Sequence, residues 1–330
     1  MKPVLVTGGA GFVGKQLVEK LLARGESVRV LDLSSDAVPG TEHIQGDITQ
    51  SGVVREAMAG VACVFHLAGN AQLWARNPAD FDCANRVGTE IVIAACEARG
   101  VERLVHCSSL TTLIGRRSPR RPFDADETIR WEPEDMLGAY PRSKLRAERE
   151  VEDAVARGLD AVIALPTEPL GPGDTAITPP TRMLIDFLNG ANPAYVGAIL
   201  NFVPVDALAD GLIACADKGK TGERYLFGGE NIEMGRLLAK LELLTGRKMP
   251  SLQLPFFVAL MAGAVDTFIA NRITKYPPKA PLTGVRLASR PARFSSAKAK
   301  RDLGWEAPPM DEALKASVDW MQTEGLVGAG

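Results

Sequence analysis

Tyr140 and Lys144 are the two residues best suited to proton chemistry, at the start of a helical pattern over residues 140–157. Their spacing of four residues places the phenol and the ammonium group on one face of a helix, a turn apart. An unperturbed tyrosine has a pKa of about 10, and a nearby positive charge lowers it by stabilising the phenolate. The pair therefore predicts a group that exchanges a proton with an alcohol or a ketone near neutral pH.

Ser109 is the third candidate catalytic residue. It follows an apolar segment at residues 103–107 that is typical of a buried strand. Parallel sheets bind ligands beyond the carboxyl ends of their strands, so a serine at this point can orient a substrate oxygen. We expect Ser109, Tyr140 and Lys144 to form the catalytic set.

A glycine-rich turn separates the first apolar strand, residues 4–7, from a helical pattern over residues 12–24. It fits G-x-x-G-x-x-G from Gly8 and also G-x-G-x-x-G from Gly9. Glycines let the backbone approach a pyrophosphate, and the free N–H groups at the start of the helix attract phosphate. This context predicts a dinucleotide site. Its residues in the turn are Gly8, Gly11, Phe12, Val13 and Gly14.

Asp32 strengthens that prediction and selects a cofactor. It ends the second apolar strand, residues 27–31, and lies 18 residues after Gly14. A carboxylate at this position accepts hydrogen bonds from the adenosine ribose hydroxyls and repels a 2′-phosphate. We therefore expect NAD as the cofactor rather than NADP.

Two further segments are candidates for the cofactor site. Asp47, in Gly46-Asp47-Ile48, can bond the adenine amino group, or it can simply cap a helix. Small residues at the end of the third strand leave room for the cofactor, although they also form ordinary turns. Lys144 can hold the nicotinamide ribose next to Tyr140. The additional predicted cofactor residues are Asp47, Ile48, Leu67, Ala68, Gly69, Tyr140 and Lys144.

The elements that position these residues alternate between short apolar runs and helical patterns as far as residue 166. This alternation is typical of an α/β fold, a doubly wound parallel sheet of the Rossmann-like kind. We predict a dinucleotide-binding domain over 1–166 and a smaller α/β substrate domain over 167–330, with a possible return strand near 201–205 that joins the main sheet. The predicted strands are 4–7, 27–31, 63–67, 103–107 and 161–165, and the predicted helices are 12–24, 85–99 and 140–157.

Composition restricts the partners. The 38 basic and 40 acidic residues give a net charge of −2, without the basic excess that nucleic-acid binding requires. The five cysteines form no C-x-x-C pair and the three histidines add no ligand spacing, so we expect neither a metal site nor a disulfide framework. No secretory signal is recognisable at the start of the chain, which predicts a cytoplasmic protein with a small-molecule substrate.

The most apolar segment covers residues 255–270 and contains Asp266. It is shorter than the roughly 20 residues that a membrane-spanning helix needs, so we expect no transmembrane segment. We favour an amphipathic helix that closes the smaller domain and borders the substrate pocket, and contact with a membrane surface is the alternative.

Taken together, these motifs resemble an extended short-chain dehydrogenase/reductase, of the NAD-dependent epimerase/dehydratase family, over nearly the whole chain. The resemblance implies a cofactor domain, a C-terminal substrate domain and a homodimer formed by helices. Besides the residues above, it depends on His66, Asn85, Gly88, Thr89, Ser108, Ser143, the segments 171–174 and 302–305, Val205 and Asp206. The segment 277–305 is similar to the branch of hydroxysteroid dehydrogenases, dihydroflavonol reductases and hopanoid-associated epimerase-like proteins.

Within that family, we favour a dehydrogenase or reductase that interconverts a secondary alcohol and a ketone on an apolar molecule. A sugar-nucleotide epimerase is the alternative, and a dinucleotide-sensing protein without turnover is a third. Dehydration is set aside because related dehydratases place Asp-Glu after the catalytic hydroxyl, where this chain has Leu110-Thr111. Counting back from Gly115, as in sugar epimerases, makes Thr111 the alternative to Ser109. Arginines that could clamp a diphosphate are Arg182, Arg224, Arg290 and Arg293.

Overall fold

The computed structural model describes residues 2–328. The strands of this part of the chain are β1 (Val4–Thr7), β2 (Val28–Asp32), β3 (Glu42–Gln45), β4 (Cys63–His66), β5 (Arg103–Cys107), β6 (Phe123–Ala125), β7 (Ala161–Pro166), β8 (Glu168–Leu170), β9 (Tyr195–Val196), β10 (Ile199–Pro204), β11 (Arg224–Phe227), β12 (Glu230–Glu233), β13 (Gln253–Leu254) and β14 (Ala292–Phe294). The α-helices are α1 (Phe12–Ala23), α2 (Ser51–Ala57), α3 (Ala79–Asp82), α4 (Gly88–Arg99), α5 (Ala139–Ala156), α6 (Pro179–Leu188), α7 (Val205–Lys218), α8 (Met234–Thr245), α9 (Phe256–Ile269), α10 (Leu282–Ala288), α11 (Ala297–Leu303) and α12 (Asp311–Thr323).

A seven-stranded parallel sheet organises the molecule, in the order β11-β7-β5-β4-β1-β2-β3. Alternate side chains of each strand face opposite helix layers, which explains the nearly continuous apolar runs. Leu5 packs into a core with α2, α4 and α5, while Val4 and Val6 pack into a second core with α1 and α7. The predicted Rossmann-like sheet is confirmed. The sequence did not reveal β3 and β11, which form its two edges.

The predicted return strand needs a correction. The segment near 201–205 does form a strand, β10, but it pairs with β12 and β8 in a separate three-stranded sheet. The strand that rejoins the main sheet is β11, which lies parallel to β7. Both strands are apolar, and an apolar pattern identifies a strand without identifying its partner.

The apolar segment at 255–270 also differs from expectation. Helix α9 continues directly into a π-helix, Ala270–Thr274, so that 19 residues are helical with a mean hydropathy of 1.5. By length and composition alone this stretch could cross a membrane, so the expectation that it is too short was wrong. Only 11% of the most apolar 18 residues of this stretch are buried, and within α9 only Gly263 is buried. The helix therefore contacts the protein through half-buried side chains such as Phe256, Val258 and Leu260, and most of its other large apolar side chains are exposed.

Candidate active site

The glycine turn is held by close backbone packing between β1 and α1. Gly8 has φ +75°, a left-handed conformation, and a Cβ there would lie 2.7 Å from the backbone nitrogen of Ala68. A Cβ on Gly14 would overlap the carbonyl oxygen of Gly8. Helix α1 starts after Gly11 without a side-chain cap, so its first amides have no partner within the helix. They remain available to an anion in front of the helix.

Asp32 connects this turn to the end of β2. Its Oδ2 accepts a hydrogen bond from the Ala10 amide at 2.9 Å, and its Oδ1 accepts one from the Ser34 amide at 3.0 Å. The carboxylate therefore lies beside the glycine turn, where the sequence predicts the adenosine ribose.

The segment of Asp47 lies against the same strand end, because the Gly46 amide donates to the Asp32 carbonyl at 2.7 Å. Asp47 Oδ1 accepts from the Thr49 amide at 2.8 Å, within a turn that precedes α2. Asp47 is therefore not the helix cap itself, since α2 is capped at Gln50. Ile48 is buried, and its side chain fills the space beside Gly88.

Leu67, Ala68 and Gly69 run alongside the glycine turn. The Leu67 amide donates to the Thr7 carbonyl at 3.1 Å, and the Ala68 amide contacts the Thr7 hydroxyl at 3.3 Å. A Cβ on Gly69 would lie 3.7 Å from Lys144 Nζ. This segment therefore joins the predicted cofactor site to the predicted catalytic residues.

Tyr140 is buried at the start of α5, near the hydroxyls of Ser109 and Thr111. Burial raises the pKa of Tyr140 to about 12, and the two neighbouring hydroxyls offset only part of this effect. This direction is opposite to the lowering of the pKa that a nearby positive charge alone predicts. Desolvation is the largest effect on Tyr140, and it favours the protonated phenol, the form that donates a proton.

Ser109 and Thr111 occupy one turn and converge on the same point. Ser109 caps a short 3-10 helix, Leu110–Leu113, and its Oγ accepts from the Thr111 amide at 3.2 Å. The Thr111 hydroxyl also donates to Ser109 Oγ at 3.0 Å. The two alternative candidates from the sequence are thus hydrogen-bonded neighbours.

Lys144 is buried one helical turn after Tyr140. Its Nζ donates to the carbonyl oxygen of Cys107, the last residue of β5, at 2.8 Å. Burial lowers the pKa of Lys144. The bond anchors α5 to the strand that carries Ser109, so the three predicted catalytic residues come together at one strand end.

Asn85, to which the sequence assigned no role, makes three side-chain hydrogen bonds near Tyr140 and Lys144. It lies in a π-helix, Cys83–Val87, a distortion that is frequent at functional sites. Its amide nitrogen donates to Ser143 Oγ at 2.8 Å and to the Asn70 carbonyl at 3.0 Å. Its carbonyl oxygen accepts from the Asn70 amide at 2.8 Å. Asn85 therefore ties the loop after β4 to α5, which carries Tyr140 and Lys144 and which we call the catalytic helix after their predicted role.

A buried ion pair supports the same helix from behind. Glu148, one turn after Lys144, lies 3.0 Å from the guanidinium of Arg224 and also accepts from the Ser108 hydroxyl. Both charged side chains are almost fully buried. The proposal that Arg224 could clamp a diphosphate was therefore wrong. Of the other candidate arginines, Arg182 and Arg293 are exposed, and Arg290 is half-buried and donates to the Arg116 carbonyl at 3.0 Å.

Two C-terminal segments contact the residues around the predicted catalytic set. Thr283, in α10, packs against Gly138, where a Cβ would come 2.6 Å from its side chain. The Trp74 indole donates to Asn271 Oδ1 at 2.8 Å, which ties the loop after β4 to the end of the α9 segment. These contacts place α10 beside the start of α5, and the end of the α9 segment beside the loop after β4.

A model of the NAD dependent epimerase/dehydratase family matches residues 4–228, a stretch that includes the glycine turn and the catalytic helix. The chain belongs to this family. The resemblance found in the sequence, to the extended short-chain dehydrogenases/reductases, is thereby confirmed, and the protein is an NAD-dependent enzyme.

Three similar proteins match the chain along its length. A Synechocystis sp. protein named provisionally as a dihydroflavonol 4-reductase is 32% identical, over 98% of this chain and 95% of its own. Sterol demethylase protein B of Methylococcus capsulatus is 31% identical, over 98% of this chain and 99% of its own. The crystal structure of gox2253 superimposes with a TM-score of 0.86 at 33% identity, over 99% of this chain and 100% of that one.

The residues of this family member fit NAD. The uncapped start of α1, with the amides of Phe12 and Val13, would hold the pyrophosphate, and Asp32 would receive the adenosine ribose. Lys144, beside Gly69, would lie next to the nicotinamide ribose. When bound there, NAD supplies or accepts the hydride in reach of Tyr140.

Proposed function

We propose that this enzyme interconverts a secondary alcohol and a ketone on an apolar small molecule, with NAD as the hydride carrier. The observation that supports this proposal most directly is the convergence of three hydroxyls, those of Tyr140, Ser109 and Thr111, beside the buried Lys144. This arrangement can hold one substrate oxygen and exchange one proton with it.

In the direction of ketone reduction, Tyr140 donates its proton to the carbonyl oxygen, since burial keeps the phenol protonated. Ser109 orients that oxygen, and its own hydroxyl is oriented by Thr111. Lys144 carries a positive charge close to the site and stabilises the phenolate that forms when the proton leaves. The Cys107 carbonyl holds the lysine in this position.

Two features favour an apolar substrate. Near the start of α5, α10 contacts Gly138 through Thr283 and the apolar Leu73 through Gly284, and Trp74 lies beside Asn271. The similar proteins from Synechocystis sp. and Methylococcus capsulatus carry names that refer to a dihydroflavonol and a sterol. An epimerase of sugar nucleotides would need cations for a diphosphate, and Arg224 is already bound to Glu148.

The test is a substrate panel with the purified enzyme. We expect ketones with apolar rings or alkyl chains to oxidise NADH, with Tyr140→Phe as the inactive control. Sugar nucleotides should leave NADH and sugar configuration unchanged. Epimerisation of a sugar nucleotide without net formation of NADH would overturn the proposal.

A further inference from the structure

Helix α9 presents an exposed apolar stripe that no other described part of the chain covers. At a spacing of four, four and three residues, its members lie on one side of the helix. Each is 60–67% exposed: Phe257 64%, Met261 67%, Val265 60% and Phe268 61%. Ile273 and Tyr276, which follow the helix, are 69% and 76% exposed. Soluble monomers rarely expose so many large apolar side chains side by side. We call these six residues the α9 surface.

The opposite side of α9 is attached to the protein. Gly263 packs closely on α10 and the segment before it, because a Cβ there would come 3.1 Å from the Ala280 carbonyl oxygen and 3.2 Å from the Val285 side chain. Asp266 Oδ2 accepts from the Ala280 amide at 2.9 Å, and the Leu282 amide donates to Thr267 Oγ1 at 3.0 Å. The helix therefore lies along the protein, with one side fixed and the other exposed.

The charged residues around the α9 surface indicate which partner it binds. Residues 255–290 contain five basic side chains and a single carboxylate, Asp266, which is turned toward the protein. Among the described residues none of these bases forms an ion pair, and Arg272, Lys275 and Lys279 are exposed just after α9. Exposed apolar side chains next to unpaired basic side chains suit a lipid surface with anionic headgroups. The apolar side chains insert among the lipids, and the basic side chains contact the phosphates.

A second copy of the chain fits this surface less well. In a two-fold symmetric contact the same patch meets itself, so the bases around one α9 would approach those around the other. Like charges at an interface oppose association. A lipid surface offers the opposite charge.

We propose that the α9 surface docks this enzyme on membranes that contain anionic phospholipid, with α9 lying in the plane of the interface. Through Thr283 against Gly138 and Trp74 bonded to Asn271, the docked surface adjoins the catalytic helix. An apolar substrate could then enter from the lipid. This route rests on the proposed function, whereas the docking does not.

The test is flotation of the full-length protein with vesicles of phosphatidylcholine alone or mixed with phosphatidylserine. We expect binding to the mixed vesicles only, reversed by high salt. Phe257→Ser with Phe268→Ser should weaken binding by about tenfold or more, because two apolar side chains no longer insert. Arg272→Gln with Lys279→Gln should weaken it by about 25-fold, roughly fivefold for each charge.

Matched controls remove exposed side chains of the same kind, apolar or basic, outside the α9 surface. Leu243→Ser with Leu252→Ser removes exposed apolar groups, and Arg236→Gln with Lys248→Gln removes exposed charges. Both controls should bind like the wild type, and thermal denaturation checks that all variants fold.

Four results would overturn the docking: equal binding to both vesicle types, no effect of the phenylalanine variant, protein that only detergent releases, or a dimer in sedimentation that this variant abolishes. The third result would indicate a spanning helix and the fourth an interface between copies. Because flotation needs no substrate, failure of the proposed reaction would leave its outcome unaffected.

Discussion

Glu148 and Arg224 form an ion pair at 3.0 Å in which the side chains are 1% and 2% exposed, and this pair joins the catalytic helix to strand β11. Arg224 also donates to the Ile129 carbonyl at 2.9 Å, while Glu148 accepts from Ser108, the neighbour of the predicted catalytic serine. The pair therefore supports the site from two distant parts of the chain.

Removal of one member of this ion pair should lower the stability of the protein. We expect Arg224→Met to lower the free energy of unfolding by about 3 kcal/mol or more, because it leaves the Glu148 carboxylate buried without a partner. Urea denaturation measures the change. Arg157→Met, which breaks an exposed pair with Glu97, is the control and should cost less than about 1 kcal/mol. Equal costs for the two variants would contradict the importance of the buried pair.

Tyr140→Phe should reduce turnover by about 10²-fold or more while NAD binding stays within about threefold of the wild type. The substitution removes only the hydroxyl that exchanges the proton. Steady-state kinetics and calorimetric titration with NAD separate the two effects. Turnover within about threefold of the wild type, roughly 0.7 kcal/mol in the barrier, would refute the assignment.

Ser109 and Thr111 should differ in importance although their hydroxyls are bonded at 3.0 Å. Ser109→Ala should cost about 10²-fold in kcat, as does loss of one oxyanion donor, because Ser109 leaves the strand directly and is held rigidly. Thr111→Val should cost much less. If the threonine variant were the inactive one, Thr111 would be the catalytic hydroxyl.

Asp32 should determine the choice of dinucleotide. We expect NAD to bind at least about tenfold more tightly than NADP, because the carboxylate receives the ribose hydroxyls and repels a 2′-phosphate. The substitution Asp32→Ser should reduce the difference in affinity between NAD and NADP. Calorimetry with both cofactors measures it, and equal affinities in the wild type would exclude this role for Asp32.

His106 should make the protein sensitive to acid. Its ring is buried, and among the described residues neither ring nitrogen has a hydrogen-bond partner. Burial lowers the pKa of His106 well below its usual value, so the unfolded chain takes up a proton near pH 6.5 and the folded protein does not. The associated stability is complete above that pH and is lost as the pH falls.

The variant His106→Leu should therefore lose less stability than the wild type between pH 7.5 and 5.5, by about 1.4 kcal/mol. Urea denaturation at both pH values gives the difference, in which contributions from the remaining groups, including His66, cancel. Identical losses in the two proteins would mean that the pKa of His106 is the same in the folded and the unfolded state.

The candidate cofactor site could be predicted from the sequence because the features that indicate it are local. The glycine turn between β1 and α1, Asp32 at the end of β2, and the spacing of Tyr140 and Lys144 each depend on a few adjacent residues. The core strands were recognisable for the same reason, since burial on both faces requires continuous apolar runs.

Long-range packing decided the rest. Local residues could not tell which apolar strand, β10 or β11, rejoins the main sheet, or that Arg224 is buried against Glu148, because these pairings join distant segments. Burial, which only the folded chain creates, raises the pKa of Tyr140, whereas the spacing of Tyr140 and Lys144 in the sequence predicts a lower one. The exposure of α9 also follows from tertiary structure, since hydrophobicity alone does not specify whether a helix packs inside the protein or faces an outside partner.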